Sequence, residues 1–286
     1  MIKIFTDTSA NLPEEIIKQY DLGVVSFTFT VNGTADVKAP QNDEESKTFY
    51  NGMRDGDDVT TSMVNSQTFE EAFEAELQKG NDVIYIGMSG GISGTANAAT
   101  VAAREMKEKY PQRKICAIDT FAASLGEGLL VIDAAKAAKA GADFEEIAEN
   151  ITQKRHTMCQ YFTVDDLKYL KKGGRISGAT AIIGNMLNIK PVLMGDAEGK
   201  IVQHSKTRGL KRALTMLAEK YGELCPDKSC TIGIAHADNE KAAGELLLLL
   251  KEKGFCGNCL SVYYEPVTGS HVGPGTVALF FPGVHK

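Results

Sequence analysis

No segment of the 286-residue chain approaches the roughly 20 consecutive apolar residues that a membrane span needs. The longest leucine run, Leu246 to Leu250, ends in "KEKG", so no stable membrane insertion is expected. The opening "MIKIFTDTS" runs straight into a strand pattern without a signal-peptide apolar region, so a cytoplasmic protein is expected. Positive charge is in deficit: 31 Lys and Arg stand against 37 Asp and Glu, a net charge of −6. That balance argues against a chain built mainly to grip nucleic acid. Cysteine is sparse, six residues at 116, 159, 225, 230, 256 and 259, and lacks the dense framework of small secreted domains. Cys225-x4-Cys230 and Cys256-x2-Cys259 could be drawn as a four-thiolate zinc site. Cys230, however, opens an apolar run, "CTIGIAHA", and Cys256 and Cys259 flank a turn, so no metal or other cofactor is expected. No internal repeat or low-complexity tract is present. What remains is a chain 43% hydrophobic and 24% charged, ordinary for a soluble globular protein and long enough for one large or two modest domains.

The first half alternates strands and helices. "IKIFTD" (2–7) reads as a strand and "LPEEIIKQY" (12–20) as a helix, with Asn11 as N-cap and Glu14 three residues on. "DVIYIG" (82–87) is a strand, "TANAATVAAREMKEKY" (95–110) a helix, "KICAID" (114–119) a strand and "GEGLLVIDAAKAAKA" (126–140) a helix. Such alternation predicts a parallel sheet with helices on both faces. Residues 24–58 read as a short β excursion and a polar loop, "NGTADVKAPQNDEE". After about residue 155 strands dominate, at 158–166, 190–196, 199–206, 229–237, 260–265 and 276–281. Helices interrupt them near 165–172, 176–188, 207–222 and 239–253. The fold class is therefore α/β in two domains. Residues 1–155 carry the parallel sheet, and residues 156–286 a mixed sheet covered by helices.

In open parallel sheets ligands bind beyond the carboxyl ends of the strands. Those ends carry Asp7-Thr8-Ser9, the stretch from Ser89 to Thr95, and Asp119-Thr120, while Thr60-Thr61-Ser62 precedes the helix "QTFEEAFEAEL". Each cluster taken alone reads as cap and turn chemistry. Several around one crevice point to a polar binding site. Within "YIGMSGGISGTANAA" (85–99) no lysine completes a phosphate P-loop, and the glycines at 87, 90, 91 and 94 do not fit a dinucleotide fingerprint. Gly87-Met88-Ser89-Gly90-Gly91 does match the G-x-S-x-G nucleophile elbow, and His271 lies downstream in hydrolase order. Against a serine hydrolase of acyl esters, Gly90, Gly91 and Gly94 delay the helix, and no HGGG-like loop precedes it.

The second half holds a helical pattern, Ile176, Ala179, Ile182, Ile183, Met186 and Leu187, whose face is small at Gly178 and Gly184. It reads either as an ordinary core helix or as one wall of a slot for an apolar ligand. Residues 168–212 are locally basic, with ten Lys or Arg against two Asp or Glu. No aromatic platform interleaves these cations, which disfavours nucleic acid. They form either a solvated face or one that docks an acidic partner or an anionic lipid surface.

Nearly the whole chain resembles the DegV family of fatty-acid-binding proteins. The resemblance rests on "DTSANLP", "TTSMVN" (60–65), "GMSGGISGTANAA" (87–99), "DTFAASLGEG" (119–128), "FTVDDLKYLKKGGRIS" (162–177), "IGNMLNIKPVL" (183–193), "KTRGLKRAL" (206–214) and "HVGPGTVALFF" (271–281). Met63 and Val64 depart from a Thr-Ser-Gln-Pro-Ser-like string common in the family. The resemblance implies a two-domain α/β protein that buries one long-chain fatty acid between its domains. It implies that the carboxylate meets Ser93, Gly94 and neighbouring N–H groups, with Thr61, Ser62 and His271 nearby and Thr95, Arg175 and Gly273 in support. Phe27, Ile182, Met186, Leu187 and Ile189 would line the tunnel. It further implies a carrier that is no enzyme by itself and presents the acyl group to a separate fatty acid kinase, which forms the acyl phosphate. At spacings i, i+3 and i+4 at the start of a predicted helix, Arg208, Lys211 and Arg212 share one exposed face and would dock that kinase.

Overall fold

The computed structural model describes residues 1–35, 37–176 and 188–284, and the chain divides into two compact units. The first comprises Met1–Thr28 and Thr61–His156, the second Phe29–Thr60 and Thr157–Lys286. In chain order the elements begin with β1 (Ile2–Asp7), α1 (Glu14–Gln19), β2 (Gly23–Val25), β3 (Thr28–Val31), α2 (Asp43–Asp55) and β4 (Val59–Ser62). Next come α3 (Ser66–Gln78), β5 (Asp82–Gly87), α4 (Thr95–Lys109), β6 (Ile115–Asp119), α5 (Leu125–Lys139) and α6 (Phe144–Lys154). The remainder is β7 (Met158–Thr163), α7 (Lys168–Lys172), β8 (Ile189–Gly195), β9 (Ile201–Arg208), α8 (Leu210–Leu224), β10 (Ile232–His236), α9 (Glu240–Glu252), β11 (Cys259–Tyr263), α10 (Pro266–Val272) and β12 (Val277–Pro282).

In the first unit the sheet runs β2-β1-β5-β6, every pair parallel. β5 is a near-continuous apolar run because both its faces are covered, and Val83 through Ile86 have no exposed surface. α3 and α4 pack together against β5 and β6, and α5 and α6 pack together against β1, β5 and β6. Asn11 does not cap α1. It sits in the left-handed region at φ 58° and closes a 3-10 turn over Thr8–Ala10, its N–H donating to the Thr8 carbonyl at 3.2 Å. Pro13 takes the N-cap of α1 without a side-chain bond. Asparagine tolerates a left-handed backbone, and here the turn took it before the helix could.

In the second unit the sheet runs β11-β10-β12-β7-β8-β9, with β10 and β11 parallel and the other pairs antiparallel. Val277, Leu279 and Phe281 of β12 join Leu214, Leu217 and Tyr221 of α8 and Leu246 and Leu250 of α9 in one buried cluster. Ala278 and Phe280 alternate with them and are also buried, so both faces of this central strand are covered.

The β excursion departs from the sequence reading. β3 and β4 pair as a two-stranded ribbon, the chain passes between the units within these strands, and Phe29–Thr60 belongs with the second unit, not the first. Residues read as polar loop contain α2, capped by Asn42, whose Oδ1 accepts the Glu45 N–H at 2.9 Å. α2 is held by Tyr50, which has no exposed surface and donates its hydroxyl to the Tyr264 carbonyl at 2.7 Å. The coarse reading also passes over α6 and α10. The helix expected over 176–188 falls, apart from Ile176 and Asn188, outside the described residues, and with it Ile182, Met186 and Leu187. Among the described residues no helix is long and apolar enough to cross a membrane.

Candidate functional site

The glycine loop joins β5 to α4, and its shape follows from what surrounds each residue. A Cβ on Gly87 would fall 1.9 Å from the Tyr85 hydroxyl, so only glycine fits there. The following N–H groups are spent inside the protein. Met88 N donates to Asp7 Oδ2 at 3.3 Å, Ser89 N to the Ala122 carbonyl at 2.7 Å and Gly90 N to Asp119 Oδ2 at 2.9 Å. Gly91 N donates to Ser89 Oγ at 3.0 Å and Ser93 N to the Ser89 carbonyl at 3.1 Å. Of the N–H groups around Ser93 that the resemblance implies for the carboxylate, those of Gly90, Gly91 and Ser93 are therefore already taken. At the start of the fifteen-residue α4 the Thr95 N–H also points back, to Ser93 Oγ at 3.3 Å, and the Ser93 hydroxyl and the Gly94 N–H stand at the loop's end.

At that start the Ser93 and Thr95 hydroxyls lie 2.9 Å apart, Ser93 half-buried, Thr95 fully buried and Gly94 exposed between them. A Cβ on Gly94 would meet Met63 Sδ at 2.9 Å, so the segment carrying Thr61, Ser62 and Met63 lies against the helix start. Thr61 is half-buried and Ser62 exposed, while Val64 is buried and Asn65 caps α3 by accepting the Thr68 N–H at 2.9 Å. Ser89 itself has no exposed surface. Phe27 is buried and donates its N–H to Thr8 Oγ1 at 3.2 Å.

The second unit gathers His271, Arg175 and Gly273. His271 lies on α10, whose Glu265 cap accepts the Val267 and Thr268 N–H groups at 2.6 Å each. A methyl at Gly173 would come 2.3 Å from His271 Nδ1, so the bare backbone of Gly173 makes room for the ring. Gly273 stands at φ +81° against the Tyr169 ring, a left-handed position that favours glycine. Burial, and then the neighbouring Arg175 charge, push His271 down to about 4. The ring is neutral at pH 7, with one N–H to donate and one nitrogen to accept. Its unfolded value near 6.5 exceeds the folded one, so the unfolded chain binds the extra proton between pH 6.5 and 4. Stability from this group is complete above pH 6.5 and falls with pH through that window, by up to about 3 kcal/mol. Asp7, whose carboxyl burial raises, contributes the opposite slope. The check is therefore the difference between chains: denaturant titrations of His271→Gln should show less acid destabilisation from pH 6.5 to 4.5 than the parent.

Ile189 opens β8 and pairs with Arg208, which ends β9. Arg208 is therefore not on the helix with Lys211 and Arg212, as its spacing had implied. Gly209, at φ +82°, ends the strand before α8 begins at Leu210. All three cations are exposed, and Arg212 pairs with Glu219 at 2.8 Å.

Residues that sequence reasoning missed lie beneath the glycine loop. Glu127 has no exposed surface and accepts the Thr6 hydroxyl at 2.9 Å through Oε1, while its Oε2 lies 2.7 Å from Ser9 Oγ. Ser9 Oγ also lies 2.5 Å from Asp7 Oδ1, and the Tyr85 hydroxyl donates to Asp7 Oδ2 at 2.5 Å. One hydroxyl hydrogen cannot serve two carboxylates. Both contacts are hydrogen bonds only if one of the two buried carboxyls holds a proton. Burial raises that of Asp7, while the Ser9 N–H at 2.9 Å, the Ser9 and Tyr85 hydroxyls and the Met88 N–H converge on it and lower it. The available signal was an acid between two glycines in an otherwise apolar helix start, "LGEGLL". Gly128 is required because a Cβ there would lie 2.6 Å from the Ala10 carbonyl oxygen.

A family model described as "Uncharacterised protein, DegV family" matches residues 1–283. A DegV domain-containing protein of Clostridium perfringens is 38% identical over 284 residues, covering 99% of this chain and 98% of its own. Among solved structures, a DegV family protein of Thermus thermophilus, described by its fatty acid binding, aligns with a TM-score of 0.87 at 28% identity over 99% of each chain. DegV of Bacillus subtilis, described as a fatty acid binding protein, aligns at 0.80 and 28% identity over 98% of each. With a family match over nearly its full length and a fold that aligns with these structures, the chain belongs to the DegV family.

Proposed function

We propose that this protein binds a long-chain fatty acid and holds its carboxylate with the Ser93 hydroxyl, the Gly94 N–H at the start of α4, and Thr61 or Ser62, with Thr95 in support. The observation that carries the reading is the half-buried Ser93 hydroxyl, 2.9 Å from the buried Thr95 hydroxyl at the start of α4, beside a segment with two more. A carboxylate is acceptor-only and needs several converging donors when it leaves water. The fatty-acid binding described for the Thermus thermophilus and Bacillus subtilis relatives supports this chemistry. The family resemblance assigns His271, with Arg175 and Gly273 in support, to the same ligand. A neutral imidazole donates one hydrogen bond to an anion without bringing a charge of its own. Phe27 and Ile189 are proposed among the residues that meet the acyl chain.

The alternative, a serine hydrolase acting through Ser89, finds that side chain fully buried with Oγ accepting the Gly91 N–H. Incubation with an activated acyl ester separates the two readings. The carrier reading expects no burst of product and no acylated Ser89.

On the proposed reading the protein presents its acyl group to a separate fatty acid kinase, which supplies nucleotide, metal and phosphoryl transfer. The exposed cations Arg208, Lys211 and Arg212 support a docking face, since exposed charges steer association more than they hold a fold. Reversing all three to Glu should leave fatty-acid binding unchanged and slow acyl-phosphate formation by a cognate kinase. The deficit should shrink at high salt, where screening reaches the parent as well. Lost lipid with an unchanged rate per bound lipid would move these residues from docking to the pocket.

A further inference from the structure

The proposed function leaves the cysteines of the second unit without a role, although two of them face each other. Cys225 follows α8 and Cys230 precedes β10, and their sulfurs lie 3.6 Å apart. Among the described residues no group of three or more His, Cys, Asp or Glu is placed to hold a metal ion. The loop between the two thiols is framed by bonds that do not involve them. Lys228 Nζ donates to the carbonyls of Tyr221, Gly222 and Cys225 at 3.2, 3.2 and 2.8 Å, closing the end of α8. Asp227 Oδ1 accepts the Ser229 N–H and hydroxyl at 2.9 and 2.6 Å. The Cys256 N–H donates to the Lys228 carbonyl at 2.9 Å, and a Cβ on Gly257 would fall 2.0 Å from the Cys230 carbonyl oxygen, so a second turn lies flush on the loop. A disulfide needs its sulfurs about 2.05 Å apart, so closing the pair moves each by less than about 1 Å within a frame that already holds.

We propose that Cys225 and Cys230 are a dithiol–disulfide couple whose co-substrate is a small-molecule disulfide. Cys230 is partly exposed and Cys225 buried, which orders the steps. The Cys230 thiolate attacks one sulfur of the external disulfide, and the other sulfur leaves as a thiolate. The Cys225 thiolate then attacks Cys230 Sγ of the mixed disulfide and expels the second small thiolate. Two protein thiols are oxidised by two electrons, the external disulfide is reduced to two thiols, and these take up both protons. Burial, and then its neighbour Cys225, push Cys230 up to about 12, so the first step is slow at neutral pH and quickens as pH rises. The bond fixes the end of α8 to the start of β10, on the side of the sheet where both elements enter the buried cluster.

The test equilibrates the full chain with mixtures of reduced and oxidised glutathione at pH 8, alkylates the remaining thiols and digests with trypsin. Cleavage after Lys220, Lys228 and Lys241 puts Cys225 on "YGELCPDK" and Cys230 on "SCTIGIAHADNEK", so the bond links two separate peptides. The linked pair should replace the two alkylated peptides as oxidised glutathione rises, with the intact chain lighter by about 2 Da. Cys225→Ser should instead trap glutathione on Cys230, heavier by about 305 Da. A chain with Cys256→Ser and Cys259→Ser should oxidise like the parent. Glutathione persisting on Cys230 of the parent with no linked pair would overturn the proposal, as would a 2 Da loss that survives Cys225→Ser.

Discussion

Ser93→Ala combined with Thr61→Val is expected to lower long-chain fatty-acid affinity at least tenfold. Each substitution removes a hydroxyl that can donate to the carboxylate, and a hydrogen bond to a charged group contributes about 1.5–3 kcal/mol. A tenfold change in affinity corresponds to about 1.4 kcal/mol, so either loss alone suffices and the pair should exceed it. The fold should tolerate both changes. Ser93 and Thr61 are half-buried, and the cost to the fold is the partner that Ser93 Oγ gives to the Thr95 N–H and hydroxyl. Titration with a fluorescent fatty acid measures the affinity, and a thermal melt of the empty protein checks the fold. Unchanged affinity in a folded double variant would remove Ser93 and Thr61 from the site.

Glu127→Ala should have the larger effect on stability, about 3 kcal/mol or more. It strips the hydroxyls of Thr6 and Ser9 of a common buried acceptor, and each buried polar group left unpartnered costs about 1–3 kcal/mol. The cavity left by the removed side chain adds to that. At about 2–4 °C per kcal/mol for a chain of this size, the melting temperature should fall by roughly 6–12 °C. Asp7→Asn tests which of the two carboxyls holds the shared proton. A loss as large as that of Glu127→Ala makes Asp7 the ionised partner, and a mild loss makes Glu127 so. Since Asp7 Oδ2 also accepts the Met88 N–H, Glu127→Ala should weaken lipid binding through the glycine loop.

What could be read from the sequence was whatever local patterning determines. β1, β5, β6, α4 and α5 follow from apolar runs and helical periodicity, and they lie where those patterns put them. The start of α4 was legible as a candidate site because glycines and hydroxyls between a strand and a helix announce a turn with polar work to do. Local pattern could not show where the N–H groups of that turn go. Gly90 is answered by Asp119 and Ser89 by Ala122, partners some thirty positions away that only the folded chain brings near. The same holds for Glu127, whose partner Ser9 is 118 positions distant. The β excursion was assigned by adjacency in sequence, whereas its anchor, the Tyr50 hydroxyl, reaches a carbonyl 214 positions further on. His271 opens the motif "HVGPG", yet it stands on a short helix that Glu265 caps from outside that motif.

The central claim, that this chain carries a fatty acid by its carboxylate, is tested most directly by native mass spectrometry of protein purified from cells. The parent chain should carry an adduct whose mass, released under denaturing conditions, is that of an intact long-chain fatty acid. The Ser93→Ala, Thr61→Val chain, purified in parallel, should lose most of that adduct while keeping the charge-state distribution of a folded protein. A parent chain that emerges without lipid, and stays without it after incubation with long-chain fatty acids, would contradict the account.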